Sequence, residues 1–137
     1  MGKRSKSKSQ DCPCGSGKVY TVCCAPFIES ERLPSTAEQL MRSRYSAYAL
    51  AQADYLLATW HPSTRPAKLD FASQPKMKWI LLTILQTVAG GGEDDTGMVE
   101  FDARFTINGK AEVMHEKSEF VREQGRWYYL KAQNAIS

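Results

Sequence analysis

An α+β protein is predicted by the order of its elements: helical periodicity fills the first half, period-two alternation fills the second, and all four cysteines stand together ahead of both. Helices followed by a run of strands, with no alternating βαβ units, pack as helices on an antiparallel sheet. The cysteines add a small metal knuckle. The chain therefore reads as a basic tail over residues 1–11, a knuckle over 12–30 and an α+β domain over 31–137.

The tail KRSKSKSQ has no apolar residue, so it cannot offset the entropy of ordering and is expected to be disordered. The next stretch, CPCGSGKVYTVCC, is too short and too rich in Gly and Cys to have an apolar core of its own, and needs a cross-link. Ser35 and Glu38 form an S-x-x-E capping box behind Pro34, which predicts a helix start. Ala37, Leu40, Met41, Ala47 and Tyr48 then recur on one helical face to about Ala51. A second short helix is expected over Asp54 to Trp60, with Leu56, Leu57 and Trp60 turned inward, before His61-Pro62 stops it. Arg65 to Pro75 reads as loop with one helical turn.

Trp79 to Ala89 is rich in Ile, Leu, Thr and Val and reads as the first strand, broken by the turn Gly90 to Asp95. Val99, Phe101, Ala103, Phe105 and Ile107 alternate with polar residues, as in a strand with one buried face. Asn108-Gly109 is a strong hairpin signal, and Lys110 to Arg122 and Arg126 to Ala132 supply two more strands around Gly125. On the first strand Ile80, Leu82 and Ile84 alternate with Leu81 and Leu85, so both faces are expected to be apolar and one needs a cover, either the knuckle or a second copy in a homodimer.

Bulk composition narrows the function. With 137 residues, 42% hydrophobic and 24% charged, the chain has room for one ordinary domain and an appendage, which excludes a long multidomain enzyme. The formal charge of +3 comes from 18 basic and 15 acidic residues, and Lys3, Arg4, Lys6 and Lys8 against Asp11 account for all of the excess. The remainder is balanced at 14 each, so any affinity for RNA or ribosomes is expected in the tail. No apolar run approaches the about 18 residues of a membrane span, the polar start has no signal-peptide h-region, and Lys6 stands where a myristoylation motif needs Ser or Thr. A cytoplasmic location without membrane attachment is expected.

The cysteines follow the pattern C-x-C-x8-C-C at Cys12, Cys14, Cys23 and Cys24. Two close pairs separated by a turn supply the four thiolates that tetrahedral zinc takes at about 2.3 Å, and iron can occupy the same sulfur set. Disulfides suit an oxidising compartment and redox pairs usually carry C-x-x-C, so neither fits as well. Gly15 and Gly17 suit the intervening turn, and Lys18 and the basic tail lie close enough in sequence to offset part of the −2 charge of a zinc tetrathiolate. GSGK is no nucleotide loop, because Cys12 and Val19 occupy the places of the first Gly and the magnesium-binding hydroxyl of a P-loop.

CPCGSGKVYTVCC resembles the SecA C-terminal (SEC-C) motif, with Cys24 in place of the His of the SecA version. LMRSRYSAYALAQADYLLATWHPS and HEKSEFVREQGRWYYLKA are similar to the bacterial YchJ-like family of uncharacterised proteins, and the resemblance extends from Cys12 over nearly the full length. It implies a nuclear transport factor 2-like (cystatin-like) domain, in which helices pack into the concave side of a curved sheet, and implies Cys12, Cys14, Cys23 and Cys24 as the metal ligands. Domains of that superfamily often enclose a cone-shaped pocket, and some are enzymes such as ketosteroid isomerase.

A second site is suggested by Arg44, which lies four residues from both Leu40 and Tyr48 on the core face of the helix. A buried arginine needs a partner: Asp54, an acidic sheet residue, or an anionic ligand. His61 and His115 are the only imidazoles; His61 suits a helix-end capping role, and His115 lies in a strand beside Glu116. Arg44, Tyr48 and His115 are the candidate pocket residues, while Trp60, Trp79 and Tyr129 are assigned to packing. With no catalytic signature motif in the chain, the sequence favours a non-enzymatic zinc-binding adaptor with a protein or ribonucleoprotein partner. The alternative is a carrier or small enzyme that uses the pocket for an unidentified small molecule.

Overall fold

Thirteen residues of helix, AEQLMRSRYSAYA, begin where Thr36 caps them: its Oγ1 accepts the Gln39 N–H at 3.1 Å, and Gln39 Oε1 accepts the Ser35 N–H at 2.8 Å in return. The cap is thus one residue later than expected at Ser35. Two overlapping boxes, S-x-x-E and T-x-x-Q, are present in the sequence, and Glu38 is drawn outward by Arg42 one turn on, with Nε at 3.0 Å from the carboxylate. In this computed structural model residues 10–71 and 77–133 are described. Most of the basic tail (1–9), residues 72–75 of the expected loop and residues 134–137 of the expected domain lie outside them.

The helices are α1 (Ala25–Ile28), α2 (Ala37–Ala49) and α3 (Ala53–Ala58), preceded by a 3₁₀ turn at Tyr20–Val22. The strands are β1 (Met77–Ala89), β2 (Thr96–Ile107), β3 (Lys110–Glu123) and β4 (Arg126–Ala132), paired antiparallel in the order β1-β2-β3-β4. Asn108 and Gly109, both at positive φ, close the β2–β3 hairpin, and Gln124-Gly125 closes the next in the same way.

Alternation along β2 places Val99, Phe101 and Ala103 in the core, where they meet Leu40 and Met41 of α2, Phe120 of β3 and Trp127 of β4. Trp127 is 1% exposed, and its Nε1–H donates to the Ser35 carbonyl at 3.2 Å. Of the three α3-region residues expected inside, Leu56 is fully buried, whereas Leu57 and Trp60 are half-buried. α3 is too short to bury a long stripe, and the chain after it runs beside β4 instead: Tyr129 N–H donates to Thr59 O and His61 N–H to Tyr129 O, both at 2.8 Å.

The two apolar faces expected on β1 are rearranged by two β-bulges. Trp79 pairs with Phe105 but Leu81 with Arg104, and Ile84 pairs with Phe101 but Gln86 with Glu100, so Ile80 and Leu85 are extra residues. Leu82 and Ile84 stay on the core side with Trp79, whereas Ile80, Leu81, Leu85 and Val88 are exposed. Strict alternation had placed Ile80 with Leu82. Gly15 of the knuckle reaches this strand, since a Cβ there would lie 3.3 Å from the Leu82 carbonyl oxygen.

Candidate metal centre and adjoining cavity

Backbone pairing brings the four cysteines together. Asp11 bridges Val19 in antiparallel fashion, Cys12 N–H donates to Lys18 O at 2.9 Å and Tyr20 N–H to Gln10 O at 3.0 Å, so residues 10–20 form a tight finger. Gly15 and Gly17 turn its tip at φ of +78° and +88°. The 3₁₀ turn then returns the chain, and Cys24 begins α1.

All four Sγ atoms lie within 4.8 Å of one another, and none is disulfide-bonded. Cys14 Sγ to Cys23 Sγ is 3.7 Å. A tetrahedron with metal–sulfur bonds of about 2.3 Å has edges of about 3.8 Å, so the cluster has the size such an ion demands. Cys12, Cys14 and Cys24 are buried and Cys23 is half-buried, so the four sulfurs would fill the four positions of a tetrahedral ion with their solvent side at Cys23. As thiols they crowd one another: hydrogen bonds from Cys12 and Cys24 drive Cys14 far down, while the same sharing and burial drive Cys24 far up. Burial also raises Cys23. A bound cation would relieve this conflict by letting every sulfur ionise.

Three side chains missed by the sequence reading support the sulfurs. Ser46 Oγ is 3.4 Å from Cys12 Sγ, Ser16 Oγ is 3.1 Å from Cys23 Sγ, and Arg42 Nη1 donates to the Cys14 carbonyl at 2.9 Å and lies 4.0 Å from its sulfur. Burial works against the Arg42 charge, but hydrogen bonds to Glu38 and Cys14 outweigh it and hold its pKa above the usual value. Arg42 of α2 thus brings a charge to the sulfurs that the sequence reading assigned to Lys18 and the tail; Lys18 is exposed and closes the finger through its backbone, and most of the tail lies outside the described residues. The signal in the sequence was Ser46, a small polar residue on the buried side of the helix.

Behind α2, against the concave face of the sheet, lies a cavity of about 250 Å³ lined by Arg44, Tyr48, Trp60, Trp79, Glu116 and Tyr129 among others. Arg44 is 4% exposed. Its Nη1 donates to the Leu56 carbonyl at 2.8 Å and the Thr59 hydroxyl at 2.7 Å, and its guanidinium stacks between Tyr129 and Trp60 with centroids at 4.6 and 5.0 Å. Asp54 is not its partner, and among the described residues no carboxylate reaches it within salt-bridge distance. Burial lowers its pKa despite the surrounding tyrosines and Glu116. Tyr48, pushed up by burial and pulled down by Arg44, stands in the same wall. Tyr45 also lines the cavity; its hydroxyl is buried without a hydrogen-bond partner among the described residues, and burial pushes its pKa to about 12.

His115 is not in that cavity. It lies on the opposite face of the sheet, 45% exposed, with Nδ1 2.8 Å from Asp102 and Nε2 2.9 Å from Glu100. Alternation decides this, because Met114 and Glu116 take the concave side of β3 and His115 must take the other. His61 also lies apart, bridging Ser63 at 2.8 Å and Glu123 at 3.0 Å.

Helices on the concave side of a four-stranded meander, with a tetracysteine finger docked on the longest helix, define a nuclear transport factor 2-like domain carrying a SEC-C motif. Two family models match accordingly, "YchJ, middle NTF2-like domain" over residues 36–132 and "SEC-C motif" over 9–26. The chain belongs to the YchJ-like family of UPF0225 proteins: the UPF0225 protein of Chromobacterium violaceum is 51% identical over 130 residues, spanning 93% of this chain and 96% of its own. Two solved structures are similar. A SEC-C motif containing protein from Rhodopseudomonas palustris, known in solution, has a TM-score of 0.79 at 37% identity, covering 90% of this chain and 98% of its own. A second, from Psychrobacter arcticus, has a TM-score of 0.72 at 27% identity, covering 93% and 84%. No helix among the described residues is long and apolar enough to cross a membrane.

Proposed function

We propose that the chain is a zinc-binding, non-enzymatic adaptor whose tetracysteine knuckle, once filled, presents a contact surface to a protein partner. The observation that carries this reading is the convergence of four sulfurs within 4.8 Å of one another, one for each position of a tetrahedral ion. Closed four-ligand sites are structural, whereas catalytic zinc keeps a place for water or substrate. Bound there by Cys12, Cys14, Cys23 and Cys24, the ion supplies a cross-link that the short finger cannot make for itself. Beside Cys23 the finger and α2 form a groove of about 370 Å³ edged by Lys18, Arg32 and Arg42, with Glu38 the one acidic residue in its lining among the described residues. Val22, at 63% exposure, stands on its rim. Such a surface suits an acidic peptide with an apolar anchor.

Elemental analysis of protein purified under reducing conditions tests the metal. The expected result is about one zinc per chain, lost in Cys14→Ser and reduced in the half-buried Cys23→Ser. Iron in its place would overturn the zinc assignment, and substoichiometric metal of any kind would overturn the site. Capture of protein partners by the loaded and chelated forms tests the adaptor role, which requires binding to disappear with the metal.

A further inference from the structure

We propose that the cavity between α2 and the concave face of the sheet binds a monoanionic, single-ring aromatic carboxylate of the benzoate class, with its carboxylate on Arg44. The knuckle plays no part in this inference. Arg44 is buried, yet among the described residues its hydrogen bonds go to neutral groups, through Nη1 to the Leu56 carbonyl and the Thr59 hydroxyl and beside them to the Tyr48 hydroxyl, and none goes to a carboxylate. A buried guanidinium normally meets a carboxylate through its fork of donors. The aromatic faces of Trp60 and Tyr129 stabilise its charge but leave its donor edge without an anion.

The walls specify the rest of the ligand. Tyr48 and Tyr45 stand against Trp79 with centroids at 6.1 and 5.6 Å, and Phe101 lines the same space. Flat aromatic walls favour a flat ring. The volume of about 250 Å³ exceeds the roughly 150 Å³ that holds a bare benzene and falls below the roughly 300 Å³ where drug-sized ligands begin, which leaves room for one ring and a small substituent. Among the described residues Glu116 is the one carboxylate in the lining, and it is held on the sheet side, accepting from Ser118 Oγ at 2.8 Å with Tyr129 Oη at 3.5 Å. It offers an acceptor to a ring hydroxyl and opposes a second negative charge.

Calorimetric titration of the full, metal-loaded chain with benzoate, para-hydroxybenzoate, benzyl alcohol and terephthalate tests this. The expected outcome is saturable binding of both monoacids, with benzyl alcohol and the diacid at least about tenfold weaker, as the loss of one charge-assisted contact predicts. Arg44→Met, checked for folding by its thermal transition, should lose the preference for acid over alcohol, and Ala103→Leu, which fills the cavity from β2, should abolish binding of both monoacids. Failure of the monoacids to bind would overturn the proposal, as would an alcohol as tight as its acid on the unmutated protein, where no folding defect can intervene. Metal content is read in the same samples, so a failed knuckle and a failed cavity give separate signatures.

Discussion

Arg42 and Arg44 stand two residues apart on one helix and do opposite jobs. At 100° per residue their side chains leave α2 on opposite sides, Arg42 towards the sulfur cluster and Arg44 into the cavity behind it. Arg44 was conspicuous in the sequence because it broke an apolar stripe. Arg42 was not, because an arginine on a polar face reads as a solvated charge until the finger is seen to fold over it. His115 shows the same limit: spacing placed it in a strand, but the pocket assignment needed the face, and alternation sends it outward. There the hydrogen bond and charge of Asp102, joined by Glu100, raise its pKa above the usual 6.5. A raised folded-state pKa means that the pair contributes stability fully below 6.5 and loses it as pH rises through the elevated value. Proton NMR titration should give a His115 midpoint above 6.5 that falls back towards it in Asp102→Asn. A midpoint at or below 6.5 in the unmutated protein would refute the pairing.

At the scale of elements, the meander and both hairpins were legible because their signals are local: alternation for β2, Asn108-Gly109 for the turn. The bulges in β1 were not, since an extra residue leaves no mark in a run of Ile and Leu and is fixed by what the partner strand can accept. The helix start was legible to one residue. What anchors it is tertiary, because the Ala37 N–H at the first turn of α2 donates to the Gly90 carbonyl at 2.9 Å in the β1–β2 turn. This turn passes so close to β2 that a Cβ on Gly97 would lie 2.6 Å from the Gly90 Cα and 3.2 Å from the Ala37 Cβ. Gly97→Ala should therefore cost more than Thr36→Ala, whose lost cap is worth about 1 kcal/mol. The first presses turn, strand and helix apart, while the second removes one hydrogen bond. Urea denaturation of the two variants decides the order, and equal midpoints would show that the turn yields without strain.

Taken as a whole molecule, the finger and the α+β domain share one core, although the sequence reads as a knuckle joined to a separate domain. Cys12, Cys14 and Cys24 belong to the same buried cluster as Leu40, Met41, Tyr45 and Leu82, and the finger is tied to α2 through Ser46 and Arg42. The chain's composition suggested separation, because thirteen residues rich in Gly and Cys cannot build a core, but they can complete another's. Metal binding should then stabilise the sheet as well as the finger. Anything that binds the folded state alone adds RT ln(1 + [L]/Kd), about 4 kcal/mol at a thousandfold excess over Kd, and a domain of this size shifts its transition by roughly 3–5 °C per kcal/mol. Chelation should accordingly lower the melting temperature by about 10 °C or more, read by near-ultraviolet circular dichroism, to which the buried Trp127 of β4 contributes from the sheet. Because ligation requires four thiolates, the metal-dependent part of that stability should fall away on acidification, as protons compete for the sulfurs. If the tryptophan signal melts at the same temperature with and without metal, while the ion itself is released, then finger and sheet unfold independently and the shared core has no energetic meaning.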